Sequence, residues 1–288
     1  MIDFADRFWT SADGLSLYAR DYPGAPGPAR LPVICIHGLT RNSRDFEDVA
    51  PWLASLGRRV LAVDVRGRGR SDRDPNPQNY QAAVYAGDVV SLMMQAGLGR
   101  AVFVGTSMGG LITMALAAAN PLAVAGAVLN DVGPELSPVG LGRILGYVGE
   151  QKPIANWAEA AEFAASINGV AFPGAPAEHW SAFARRIFRE EAGGLVLDYD
   201  PNITAPFRQA PTGPAPDLWP LFAGLANGRP ALLIRGGVSD LIDADIAGRM
   251  RDAAPSMAYA EVPGVGHAPM LTEPEATAAL AAFLDAAP

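Results

Sequence analysis

One cysteine and three histidines in 288 residues narrow what this chain can do. A single cysteine excludes any disulfide within the chain. Cys35 stands inside the run Val33-Ile34-Cys35-Ile36, so it reads as a small buried hydrophobe and not as a nucleophile. Basic residues are outnumbered, 22 Lys and Arg against 30 Asp and Glu, which leaves a net charge of −8. That balance argues against nucleic acid and anionic membrane surfaces as partners. No apolar run is long enough to span a bilayer. The stretch from Met1 to Arg7 lacks the basic start and apolar core of a secretory signal, so the expectation is a soluble, cytoplasmic protein.

What is present is ample core material, 50% hydrophobic residues laid out in short runs. Residues 8–10 and 15–19 flank Asp13-Gly14 and predict a hairpin. Residues 33–36, 60–63, 101–104, 123–129 and 231–234 read as buried strands, and 258–262 as a short late one. Helical stretches fall between them at 46–56, 80–94 and 110–119, with a closing helix over 273–284. Strands alternating with helices predict an α/β fold whose parallel sheet is covered on both faces. The alternation breaks between 133 and 228. Helical pieces at 158–166 and 179–190 are separated there by loops rich in Pro and Gly at 173–176 and 201–216. The reading is a core of residues 1–132 and 229–288 with a helical cap inserted at 133–228.

Residues 105–109 read Gly-Thr-Ser-Met-Gly, with a strand before and an Ala/Leu/Met-rich helix after. A serine on so sharp a strand-to-helix turn is pushed clear of the sheet, beside the N–H groups of the helix start. Ser107 is therefore the expected nucleophile. It needs a base within hydrogen-bond reach and an acid to orient that base. His267 follows the late strand and falls at the same sheet edge, so it is the expected base. His179 reads as a solvated residue at a helix start. Two carboxylates follow strands at this edge. Asp240, after the glycine turn that follows Ile234, is the preferred acid, and Asp131, after Leu129-Asn130, is the second candidate. The N–H groups of Leu39 and Met108 are the expected oxyanion hole. His37 braces the Leu39 loop beside the substrate.

Residues His37-Gly38-Leu39, the Arg/Gly loop from Asp64 to Ser71, the turn around Ser107, the stretch Arg235 to Asp240, and Gly266-His267 together resemble the α/β-hydrolase superfamily, over nearly the whole chain. The resemblance implies an eight-stranded, mostly parallel sheet, a cap, and a Ser-His-Asp triad in that chain order. It implies a serine hydrolase of carboxylic esters with no metal and no organic cofactor. The implied partner is a small-molecule ester. A C–C bond hydrolase or lactonase using the same triad, or a small-molecule receptor on the same fold, are the alternatives. Aromatic residues of the cap, Trp157 and Trp180 among them, join His37 as candidates for the substrate pocket. Arg66, Arg68 and Arg70 of the Arg/Gly loop read as part of a structural turn, solvated or paired with Asp64 and Asp72. The sequence does not set the oligomeric state.

Overall fold

The computed structural model describes residues 2–149, 153–208 and 216–288. Its strands are β1 (Ala5–Thr10), β2 (Ser16–Tyr22), β3 (Val33–Ile36), β4 (Val60–Asp64), β5 (Ala101–Thr106), β6 (Val124–Asn130), β7 (Phe188–Glu191), β8 (Gly194–Leu197), β9 (Ala231–Gly236) and β10 (Ala258–Val262). Eight of them form one sheet in the order β1-β2-β4-β3-β5-β6-β9-β10, while β7 and β8 pair separately. β1 and β2 are antiparallel, as are β2 and β4; from β4 to β10 the pairing is parallel.

The helices are α1 (Val49–Ser55), α2 (Ala82–Gln95), α3 (Met108–Ala119), α4 (Pro138–Tyr147), α5 (Trp157–Asn168), α6 (Ala177–Ile187), α7 (Ala205–Arg208), α8 (Trp219–Ala226), α9 (Ala244–Ala253) and α10 (Pro274–Ala286). Helices cover both faces of the sheet, and this is why its central strands are almost wholly buried and mostly apolar, with their polar residues near the C-terminal ends. Successive side chains of a strand point to opposite faces. Ile34 and Ile36 of β3 accordingly join one apolar cluster with Leu92, Leu116 and Phe222. Val33 and Cys35 join the other, with Leu53 of α1 and Leu280 of α10. Cys35 is fully buried, and burial pushes its thiol well above the usual range.

Some predicted boundaries shift. The helix expected over 46–56 is a 3₁₀ turn at Ser43–Phe46 followed by α1, because the Asn42 side chain accepts from Arg44 N–H and starts the turn early. The helix expected over 179–190 ends at Ile187, where the chain enters β7. Between β6 and β9 the described residues add no strand to the main sheet. α5 and α6 pack on each other there, whereas α8 packs against α3 of the core layers. α4 is tied to the loop after β9 by Ser137 N–H donating to the Leu241 carbonyl at 2.9 Å. Of the loop expected at 201–216, residues 209–215 lie outside the described residues. No helix among the described residues is long and apolar enough to cross a membrane.

Candidate active site

Ser107 joins β5 to α3 with φ of +52°, a conformation that β-carbon-bearing residues rarely adopt. The two flanking glycines make this turn possible. A Cβ on Gly105 would stand 2.5 Å from the Gly110 nitrogen, and one on Gly109 would stand 2.0 Å from the Ile36 carbonyl oxygen. The Ser107 N–H donates to the Asn130 carbonyl at 3.0 Å, which locks the turn to the end of β6. Strain held in place by packing on both sides is a mark of functional turns.

The Ser107 hydroxyl meets His267 Nε2 at 2.9 Å, and His267 Nδ1 meets Asp131 Oδ2 at 2.8 Å. The imidazole is 9% exposed and the Asp131 side chain fully buried. With Nδ1–H donating to the carboxylate, Nε2 is left free to accept from the serine. Asp131 directly follows β6, with φ of +53°. Gly236 N–H donates to its Oδ1 at 2.8 Å, and the Ser239 hydroxyl donates to its Oδ2 at 2.6 Å. The histidine loop is anchored as well. Asn130 Nδ2 donates to the Pro269 carbonyl at 2.8 Å, and Gly266 N–H donates to the Ala171 carbonyl at 2.6 Å.

The sequence preference for Asp240 requires correction. Its carboxylate is gripped by Arg143 of α4, with Nε 2.5 Å from Oδ2 and Nη2 2.8 Å from Oδ1. That guanidinium holds the Asp240 carboxyl below the usual range, and no hydrogen bond joins Asp240 to His267. The strand-end carboxylate that reaches the imidazole is the second candidate, Asp131.

Gly38 lies against Ser107: a Cβ there would stand 3.6 Å from the Ser107 Cβ. Leu39 follows it, and no acceptor among the described residues takes the Leu39 N–H. Met108 opens α3, where first-turn N–H groups lack an intrahelical acceptor. His37 is fully buried, with Nδ1–H donating to the Gly38 carbonyl at 2.7 Å and Nε2 accepting from Val65 N–H at 3.1 Å. Burial, opposed by the Gly38 carbonyl, pushes its pKa down to about 3. It is a neutral brace between two loops.

The cavity at Ser107 is small, about 70 Å³, and is walled by Leu39, Arg41, Ile144, Tyr147, Phe172 and Met270. His37, Trp157 and Trp180 do not line it, which corrects their assignment to the pocket. Trp180 is buried against Phe172, His179 and Phe183. Trp157 stacks under Arg185 and donates from Nε1 to Glu190 at 3.3 Å. Arg41 lies 3.9 Å over the Phe183 ring and pairs with Asp45 at 2.5 Å, so its guanidinium is held rigid in the wall. Among the described residues no group of three or more His, Cys, Asp or Glu is placed to hold a metal ion.

Sequence reasoning did not anticipate Ser239, Arg143 or Tyr147. Ser239 stands one residue before Asp240, in the stretch already singled out, so proximity to a candidate acid was its one signal.

Comparison with known proteins agrees with this architecture. The chain is 35% identical over 272 residues to the 3-hydroxybutyrate-oligomer hydrolase of Cupriavidus necator, covering 92% of this chain and 91% of that one. It is 29% identical over 257 residues to the 2-(acetamidomethylene)succinate hydrolase of Mesorhizobium japonicum, covering 88% of each. The crystal structure of an alpha/beta hydrolase from Novosphingobium aromaticivorans superposes with a TM-score of 0.91 at 46% identity, over 99% of both chains. The sequence profile of the alpha/beta hydrolase fold matches residues 32–274, and the chain belongs to the α/β-hydrolase family.

Proposed function

We propose that this hydrolase is a serine esterase acting on short carboxylic esters through an acyl-enzyme. The observation that carries the reading is the unbroken relay from Ser107 through His267 to Asp131, with contacts of 2.9 and 2.8 Å. Ser107 Oγ attacks the ester carbonyl carbon while its proton passes to His267 Nε2. Asp131 holds the imidazole in the accepting tautomer and stabilises the imidazolium that forms. The N–H groups of Leu39 and Met108 take the oxyanion. Collapse of the tetrahedral intermediate breaks the C–O bond, and His267 returns its proton to the leaving alcohol. Water, deprotonated by the same imidazole, then attacks the acyl-enzyme. The carboxylic acid leaves and the serine proton is restored.

A void of about 70 Å³ suits one short acyl group. Arg41 and Tyr147 add polar groups to its wall, which favours a hydroxylated or otherwise polar acyl group over a plain alkyl chain. The relative that cleaves 3-hydroxybutyrate oligomers supports an ester of a short hydroxy acid as the substrate class. Residues 133–228 act as a cap that limits acyl size and supplies no catalytic group. A panel of p-nitrophenyl esters from acetate to octanoate, together with a 3-hydroxybutyrate dimer, tests the reading. Ser107→Ala should lower turnover by about 10⁴–10⁶ with the fold intact. A Ser107→Ala protein keeping more than a tenth of wild-type turnover would sink the proposal.

A further inference from the structure

The three arginines of the loop after β4 have unlike surroundings. Arg66 is met by three carboxylates, those of Asp13, Asp74 and Asp88. Arg70 reaches the surface and pairs with Asp6 at 2.7 Å. Arg68 is 1% exposed and has no carboxylate partner among the described residues. Removing an unpaired guanidinium from water costs several kcal/mol, roughly the effective penalty for one buried ion.

All the polar contacts of Arg68 are to neutral groups. Nη1 donates to the Arg66 carbonyl at 2.8 Å and to the Tyr85 hydroxyl at 2.9 Å. Nε donates to the Leu39 carbonyl at 3.0 Å, and Nη2 points to the Met108 sulfur at 3.6 Å. The faces of Tyr80 and Tyr85 lie 5.6 and 5.2 Å away. One guanidinium thus touches both residues whose N–H groups would hold the oxyanion.

We propose that Arg68 is a positioning residue for the oxyanion hole, orienting the Leu39 loop and placing an uncompensated positive charge behind the two N–H donors. The inference rests on the serine-esterase reading above. Leu39 follows Gly38, and a loop of that kind has freedom to turn its peptide planes. Drawing the Leu39 carbonyl toward Arg68 fixes the far end of that residue, which limits how the loop can swing away from Ser107. From a side chain 1% exposed, the charge is weakly screened and acts where negative charge develops. Its effect is larger on the tetrahedral intermediate than on the neutral ester, so it raises kcat more than it lowers KM.

Arg68→Met and Arg68→Lys test this with p-nitrophenyl butyrate and with an alkylboronic acid that adds to Ser107 as a tetrahedral anion. Removal of a single oxyanion donor costs about 10²–10³ in kcat, and loss of a group acting behind two donors should cost about 10–100-fold. Arg68→Met should show that loss in kcat with KM within twofold, and boronate affinity should fall in parallel. Affinity for the corresponding amide, a neutral ground-state analogue, should stay within about threefold. Arg68→Lys, which keeps the charge but not the fork, should recover part of the loss. Thermal unfolding separates this from simple structural support, since a structural role predicts a lowered Tm with kcat and boronate affinity retained in the folded fraction. Wild-type kcat and boronate affinity in Arg68→Met overturn the inference. If Arg68→Met does not fold, the same two readouts on Arg68→Lys and Arg68→Gln decide. A wild-type protein without esterase activity, or an active Ser107→Ala, fails the underlying reading instead.

Discussion

His267 Nδ1 lies 2.8 Å from Asp131 Oδ2, while Asp240, in the loop after the next strand, gives its carboxylate to Arg143. Two strand-end carboxylates therefore stand at the same edge of the sheet and do different work. Asp131 reaches the imidazole because β6 ends beside the serine turn, where Asn130 accepts from Ser107 N–H. The loop after β9 supports it from the other side, through Gly236 N–H and the Ser239 hydroxyl.

Exchange of the two acids should separate their roles. Asp131→Asn should lower kcat by about 10⁴, the cost of holding the imidazole in the wrong tautomer. Asp240→Asn removes the partner of Arg143 and should cost less than about tenfold in kcat, because Asp240 makes no hydrogen bond to His267 and gives its carboxylate to Arg143. Turnover of p-nitrophenyl butyrate by both variants, with circular dichroism to confirm folding, checks this. A larger loss in Asp240→Asn would reassign the acid.

Ser239 gives a finer prediction. Its hydroxyl donates to Asp131 Oδ2 and accepts from Leu241 and Ile242 N–H at 3.2 and 3.3 Å. A hydrogen bond to a charged group contributes about 1.5–3 kcal/mol, so Ser239→Ala should lower kcat by roughly 10–100-fold. KM should be unchanged, since Ser239 does not line the cavity. A variant with wild-type kcat would show that Gly236 N–H alone is enough to hold Asp131.

The core strands and the serine turn could be read from the sequence because each is written locally. β-branched runs make the strands, and the glycines at 105 and 109 answer backbone contacts within a few residues or one strand away. Which carboxylate reaches His267 is not local. Asp131 and Asp240 both follow strands, both lie near glycines, and both precede His267 in the chain. What separates them is Arg143, 97 residues from Asp240 along the chain, and no pattern around Asp240 announces it. The pocket wall was illegible for the same reason. Trp157 and Trp180 lie on amphipathic helices, and periodicity does not say whether an aromatic faces the cavity or the next helix. The β7–β8 hairpin, by contrast, had a signal in the adjacent glycines at 193 and 194, both at positive φ where the chain turns from one strand into the next.

His37 makes stability depend on pH with a definite sign. Its pKa is about 3 in the folded chain, against an ordinary 6.5. Between those values the unfolded chain binds a proton that the folded chain cannot, so this contribution to stability falls as pH falls. The slope is about 1.4 kcal/mol per pH unit. Asp64, pushed by burial up to about 6, has the opposite sign between its ordinary 3.8 and that value. Both wild type and His37→Gln carry Asp64, so its contribution cancels in their difference. Urea unfolding at pH 7.5 and 4.5 should show wild type losing about 3 kcal/mol more than His37→Gln over that span. Equal losses would mean that His37 is protonated in the folded protein or has no part in the titration.

The cavity wall predicts which residues between β6 and β9 should set acyl preference under the proposed esterase reading. Ile144 of α4 lines the void together with Ser107, and Trp180 does not. Ile144→Ala should enlarge the pocket and move the optimum toward longer acyl chains by one or two carbons. A methylene in an apolar pocket contributes about 1–3 kcal/mol of discrimination, so the ratio of kcat/KM for hexanoate over acetate should rise about tenfold or more. Trp180→Ala should leave that ratio unchanged and destabilise the fold by about 3–5 kcal/mol, the cost of emptying a buried aromatic site. Trp157→Ala, whose ring lies under Arg185 outside the cavity, should alter neither to that extent. The p-nitrophenyl ester series from acetate to octanoate, with thermal unfolding of each variant, reads all three. A chain-length profile that follows Trp180 and ignores Ile144 would mean that the acyl chain runs outward between α5 and α6, away from the wall formed by α4.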